Sequence, residues 1–207
     1  MTGELPAEFD LLDWKRRVFG LYADVRGSRD PGDAWKRWRA ARDGLFASHP
    51  QSPLPASACE DFSGLPYFAY DPGYRVAAQV AAAPPETYDI ATSGEQEGSY
   101  RFTRFAVARF ELVEQTVELE LYWLEGYGGG LFLPFRDATS GKSTYGAGRY
   151  LLDTVKGADL GMQADRLVLD FNFAYNPSCA YDPRWVCPLA PPKNRLDLAV
   201  EAGERYG

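Results

Sequence analysis

From residue 74 onward the hydrophobic pattern repeats with a period of two, and that repeat restricts the chain to a β-rich fold. The clearest stretch is 117–123, where Val117, Leu119, Leu121 and Trp123 point one way and Glu118 and Glu120 the other. The segments YRVAAQV, TYDIATS, YRFTRFAVARFEL, TVELELYWLEG, GLFLPFRD, GRYLLDTV and RLVLDFNFAY also read as strands. The links between them are short, which suits antiparallel meanders rather than helical crossovers between parallel strands. About seven or eight such strands predict a mainly β (α+β) protein, built as an antiparallel β-barrel or a strongly bent meander sheet. A further short strand is expected at 196–200.

Ahead of the strands the period is helical. Leu11, Trp14, Val18, Leu21 and Val25 recur at steps of three and four on one face. Asp30 and Pro31 mark a second start, and Trp35, Trp38, Ala41 and Leu45 form its stripe, a pattern of core packing. His49-Pro50 ends it, because a residue before proline avoids the α region. The 207 residues thus divide into a helical segment, 1–48, a Pro-rich linker or lid, 49–73, and a β domain, 74–207, within one domain.

Charge narrows the partners. The net charge is −7. The first 50 residues hold nine Lys/Arg and eight Asp/Glu, the remainder 13 and 21, so the acid excess lies over the strands. Phosphate backbones need clustered cations, so nucleic acid is disfavoured as a partner. The start MTGELPAEFD lacks the basic and apolar regions of a secretion signal, and no apolar run is long enough to cross a membrane. These features predict a cytoplasmic protein with no membrane partner and with Cys59, Cys179 and Cys187 reduced.

Several chemistries fail on spacing. SGKST ends like a phosphate-binding loop, but the position of its first glycine is Arg136, and β-type residues follow where a helix must begin. His49 is the lone histidine and no G-x-S-x-G turn exists, which disfavours a nucleophile–histidine hydrolase. Cys179 and Cys187 lie too far from further soft ligands to imply zinc. They read as a buried thiol pair holding the tail to the sheet, with a disulfide as the alternative. No residue demands a cofactor.

Two long segments, YGGGLFLPFRDATSGKSTYGAGRYLLDTVKGADLG and LVLDFNFAYNPSCAYDPRWVCPLAPPKNRLDLAVEAGER, together with SHPQSPL and GLPYFAYDPGYRV, resemble an uncharacterised bacterial and archaeal family, domain-of-unknown-function family 1684. The resemblance spans nearly the whole chain and implies no activity. Its pattern F-x-D-x-T-x-G-x-x-T-Y-x-x-G-R-Y falls on Phe135, Asp137, Thr139, Gly141, Thr144, Tyr145, Gly148, Arg149 and Tyr150.

Alternation places Arg149 and Asp153 on one strand face, and Asp170 and Asn172 on one face of the last long strand, extended by Asn176. With Asp137, Thr144 and Tyr145 these residues make the candidate ligand-binding set. A guanidinium fork amid carboxylates, amides and a phenol can hold a small polar or anionic molecule. It can equally be a buried ion pair that ties strands and hairpin together. Binding is the first expectation. The others are a cofactor-independent enzyme, with Asp153 or Asp170 as base and Tyr145 or Arg149 stabilising charge, and a protein-interaction module.

Overall fold

The computed structural model describes residues 6–93 and 99–206. Helix α1 (Ala7–Gly27) carries Glu8 and Asp10 in its first turn and Arg26 in its last, as the helix dipole favours. Helix α2 (Pro31–Ser48) is capped by the Asp30 carboxylate, which accepts the Asp33 N–H at 2.9 Å, with Pro31 opening the first turn. His49 leaves it in extended conformation. Trp35, Trp38, Leu45 and Phe46 are buried. On α1 the expected stripe is only half engaged: Val18, Leu21 and Val25 are partly buried, Leu11 is exposed, and the buried residue is Tyr22. Trp38 sits edge-on to Tyr22 and Phe173, at 6.1 and 5.0 Å between ring centres, so the helices share one core with the sheet.

The sheet has seven strands. They are β1 (Arg75–Ala91), β2 (Ser99–Leu112), β3 (Gln115–Leu124), β4 (Gly130–Phe135), β5 (Arg149–Asp153), β6 (Met162–Gln163) and β7 (Arg166–Asp170), ordered β5-β4-β3-β2-β1-β7-β6. Every ladder is antiparallel. YRVAAQV and TYDIATS, read as two strands, are one. Pro84 and Pro85 fall inside a register shift between Ala82 and Glu86, where the ladder needs no N–H from them. The first residues of β1 pair with β7 and the rest with β2, so β1 joins the two parts of the sheet.

The barrel expectation is not met: the sheet is open. Tyr150 and Tyr175 exchange N–H···O bonds at 2.9 and 3.0 Å, bringing β5 against the chain just after β7 at one point. No ladder grows from it, because the chain leaves β7 in a 3-10 turn at Phe171–Phe173. That turn also means RLVLDFNFAY is a strand only as far as Asp170. Nor is 196–200 a strand. Leu196 donates to Arg136 O at 2.8 Å, Ala138 donates to Leu198 O at 2.9 Å, and one parallel bridge joins Arg136 to Arg195. Segment 49–73 contains a short helix α3 (Ala56–Cys59) and touches the C-terminal tail through a Tyr67–Glu204 bridge.

The β2–β3 hairpin turns on Val113 and Glu114, both with left-handed backbone, φ 50° and 60°. Such turns favour Asn-Gly, and a β-branched residue is strained there. Replacing Val113-Glu114 by Asn-Gly should relieve about 1 kcal/mol and raise Tm by about 2–4 °C, as read by calorimetry; an unchanged or lower Tm contradicts the assigned turn.

Candidate functional site

The structure distributes the eight predicted residues over five places. The first centres on Arg149, which is 1% exposed. Its guanidinium lies 3.4 Å from Asp137 and donates to the carbonyls of Val200 at 3.0 Å, Glu204 at 3.3 Å and Ala202. Its plane covers the Phe135 ring at 5.1 Å. Asp137 in turn accepts the Val200 N–H at 2.8 Å and the Thr139 hydroxyl at 2.7 Å, and Thr144 bonds Thr139 at 2.8 Å. The glycine-rich segment 137–148 is therefore a compact turn that grips the C-terminal tail. Gly148 allows it: at φ 99° a Cβ would stand 2.5 Å from Phe135 O. Asp137, Thr144 and Arg149 come together, as expected, but with their polar atoms spent on the protein itself.

The second place is the end of β7. Buried Asp170 accepts from the Asn172 side-chain amide at 2.8 Å and from its backbone N–H at 3.1 Å, with Arg75 at 3.4 Å. Burial raises the Asp170 pKa, and Asn172 and Arg75 offset part of that. Asn172 also exchanges two hydrogen bonds with the Asp71 backbone, at 2.9 and 2.8 Å, and its carbonyl accepts the Trp35 indole N–H. The side chain joins linker and strand, and the backbone carbonyl adds the helix.

Asn176 belongs to a third group, which sequence reasoning missed. Fully buried Glu204 accepts the Asn176 N–H at 3.0 Å, Arg42 at 2.9 Å and the Tyr181 hydroxyl. Arg42 also donates to the Tyr67 hydroxyl at 2.9 Å and lies over Phe46 at 4.7 Å and Tyr175 at 5.0 Å. A signal for Arg42 existed: it falls four residues after Trp38 and three before Leu45, on the apolar stripe of α2. Glu204 gave none.

Asp153 and Tyr145 occupy the remaining surroundings. Tyr145 leans on Tyr206 and reaches the Cys179 sulfur at 3.8 Å. Asp153 lies at the far end of β5 from Arg149, about 13 Å along the strand. It lines a cleft of about 180 Å³ with Tyr100, Phe102, Leu124, Phe132, Val186 and Pro188. Lys156, at 3.9 Å, is its nearest charge. Burial raises the Asp153 pKa. Lys156 and the backbone N–H groups of Lys156 and Val155 pull it down without cancelling that effect.

The lone histidine sits elsewhere. His49 accepts the Gln51 N–H at 3.0 Å through Nδ1 and faces Asp13 at 3.2 Å through Nε2, so it caps the junction of α2 and linker. No helix among the described residues is long and apolar enough to cross a membrane.

Truncating one member of a buried ion pair strands the other, which costs about 3–5 kcal/mol. Arg149→Ala should lower Tm by about 6 °C or more, and Arg149→Lys should not restore it, because a single ammonium cannot serve four acceptors. A variant that melts like wild type contradicts the pin.

The structure resembles the solution NMR structure of the uncharacterized protein from gene locus rrnAC0354 of Haloarcula marismortui. The two chains are 38% identical with a TM-score of 0.60 over 82% of this chain and 91% of that one. No curated protein matches. The model of the family described as "Protein of unknown function (DUF1684)" matches residues 60–205, a span that contains the Arg149 turn, the end of β7, Glu204 without its Arg42 partner, and the cleft, and the chain belongs to that family.

Proposed function

We propose that this protein binds a small molecule in the cleft beside Asp153, with an apolar, ring-sized body against Phe102, Leu124 and Phe132 and a polar head at Asp153 and Lys156. The observation that carries this reading is the Asp153 carboxyl, buried against apolar walls with a half-exposed ammonium at 3.9 Å and the backbone N–H groups of Val155 and Lys156 as its polar company. An acid buried against apolar walls is costly, and such groups concentrate where ligands are bound or protons moved. The cleft's size suits a ring: engineered cavities of about 150 Å³ take up benzene. A carboxyl held partly desolvated could also take a proton from its ligand, and acid–base chemistry at Asp153 is the second reading. The expected set around Arg149 enters this reading as the frame that holds β5, while Asp153 faces the guest. A cytoplasmic setting is part of the proposal, supported by three cysteines free of disulfide bonds.

The test uses benzylamine, benzyl alcohol and benzoate as probes, read by thermal shift and by amide chemical shifts. Benzylamine at ten times its Kd should add about 1.4 kcal/mol, or about 3–6 °C, and move resonances of Phe102, Leu124 and Phe132. Val186→Trp, which fills the cleft, should abolish the response. No response to any probe, or one that survives Val186→Trp, overturns the proposal.

The raised Asp153 pKa has a second consequence. The folded state holds this proton more tightly than the unfolded chain does. The stability so gained is complete below the unfolded pKa and is lost as pH rises through the folded one. Asp153→Asn should therefore raise Tm at pH 7, by about 2–4 °C per kcal/mol recovered, with a smaller gain at pH 4. A lower Tm at pH 7 would mean the carboxylate is a net stabiliser.

A further inference from the structure

Cys179 and Cys187 are the chemically distinctive pair that neither the pins nor the cleft uses. Cys179 sits in the 3-10 turn Ser178–Ala180 and is half-buried, while Cys187 is buried. The Cys179 N–H donates to the Cys187 sulfur at 3.4 Å. The Cys187 N–H donates to the Ser93 hydroxyl at 3.0 Å, and the Cys187 carbonyl accepts the Ser93 N–H at 3.0 Å. These bonds hold the segment around Cys187 against the end of β1. The Tyr145 hydroxyl, 3.8 Å from the Cys179 sulfur, completes the surroundings. Cys179 is thus the more exposed of the two residues, and the Cys187 sulfur lies against its backbone.

We propose that Cys179 and Cys187 form a redox-active dithiol that reacts with hydrogen peroxide, with Cys179 attacking and Cys187 resolving. The environment favours that division. The Cys187 thiol, then the neighbouring Ser93 and Tyr145 hydroxyls, bring the Cys179 pKa down to about 6 against the opposing effect of burial. Cys187 shifts the other way, because it supplies the proton its neighbour's thiolate accepts and is itself desolvated. The two thiols are close enough to titrate as a unit, and Cys179 is the more exposed of them.

In the first step the Cys179 thiolate attacks one peroxide oxygen. An S–O bond forms, the O–O bond breaks, and hydroxide leaves and is protonated to water; Cys179 becomes a sulfenic acid. In the second, Cys187 loses its proton and its sulfur attacks that of Cys179. The S–S bond forms, the S–O bond breaks, and the oxygen departs as a second water. Two thiols lose two electrons in all, and one peroxide gains them. Val186 and Pro188, which flank Cys187, line the Asp153 cleft, so the disulfide would tether one wall of it to the Cys179 turn.

Trypsin provides the readout, because cleavage after Arg184 puts the two cysteines on separate peptides that only a disulfide keeps joined. The intact wild-type protein is treated with hydrogen peroxide at pH 7, and the product is analysed by mass spectrometry without reduction. The expected result is a mass loss of about 2 Da and a joined pair of peptides, both reversed by dithiothreitol. Cys59, which has no such partners, serves as the internal reference. The pair should react about tenfold faster than Cys59. In Cys187→Ser, dimedone should label Cys179 as the trapped sulfenic acid. Adding dimedone to wild type during oxidation gives the same information if that variant folds poorly, since it should divert the disulfide into labelled Cys179. Oxidation of Cys59 at an equal or greater rate, label on Cys187 instead of Cys179, or sulfinic acid at Cys179 with no joined peptides would each overturn the proposal.

Discussion

A guanidinium sealed from water must have its donors occupied, and the C-terminal third of this protein is arranged around that requirement. Arg149 at the start of β5 faces Asp137 and three carbonyls of the last strapping segment, Val200, Ala202 and Glu204. Its Nε alone finds no partner among the described residues. Because the acceptors are backbone atoms, the tail cannot shift without exposing a buried charge to an apolar core, which is far costlier than losing an ordinary contact. The glycine-rich turn, the tail and the edge of the sheet are consequently one mechanical unit.

The other end of the same tail is held by the opposite charge. Glu204 is buried beneath Arg42 of α2, Tyr181 and the Asn176 backbone. A chain segment with almost no regular secondary structure is thereby fixed over Val200–Glu204 by two buried charges, a cation supplied from the sheet and an anion that it supplies itself. Gly203, between them, has φ 79°, and a Cβ there would stand 2.6 Å from Phe171 O, so the strap lies directly on the 3-10 turn after β7. The clamp through Arg42 explains why two helices of modest amphipathicity dock firmly on an open sheet.

Much of this was legible in the residues and some was not. The helices could be read because Asp30, Pro31 and the Trp35–Trp38–Leu45 spacing are local signals. The strands could be read because alternation survives wherever one face is buried. Closure could not be read, since whether β5 meets β7 depends on the chain leaving strand geometry after Asp170, a choice made by the Asp170–Asn172 turn rather than by periodicity. The candidate residues were picked as a ligand-binding set, and all of them but Tyr145 are buried. Alternation could not tell which had partners, because those partners are carbonyls of an irregular tail that carries no pattern. Arg149 and Asp153 share a strand and look alike in sequence, yet one is enclosed by four acceptors and the other opens on a cleft. Glu204, in AVEAGERYG, reads as a solvated acid, and only the fold puts Arg42 over it.

Once the strap is recognised, the polar residues sort themselves. Those gripping it are occupied by the protein, and the two proposed sites, Asp153 at its cleft and the Cys179–Cys187 pair, lie outside that grip. The central claim is that the tail is part of the cooperative core rather than a late, loosely held addition. Native-state hydrogen exchange of the Val200 amide, which donates to buried Asp137, and of the Glu204 amide, which donates to Ala174 O, tests it most directly. Both should exchange only through global unfolding, with the same opening free energy as amides in the centre of β3. Exchange at either site through a separate, lower-energy opening while β3 stays protected would contradict the account.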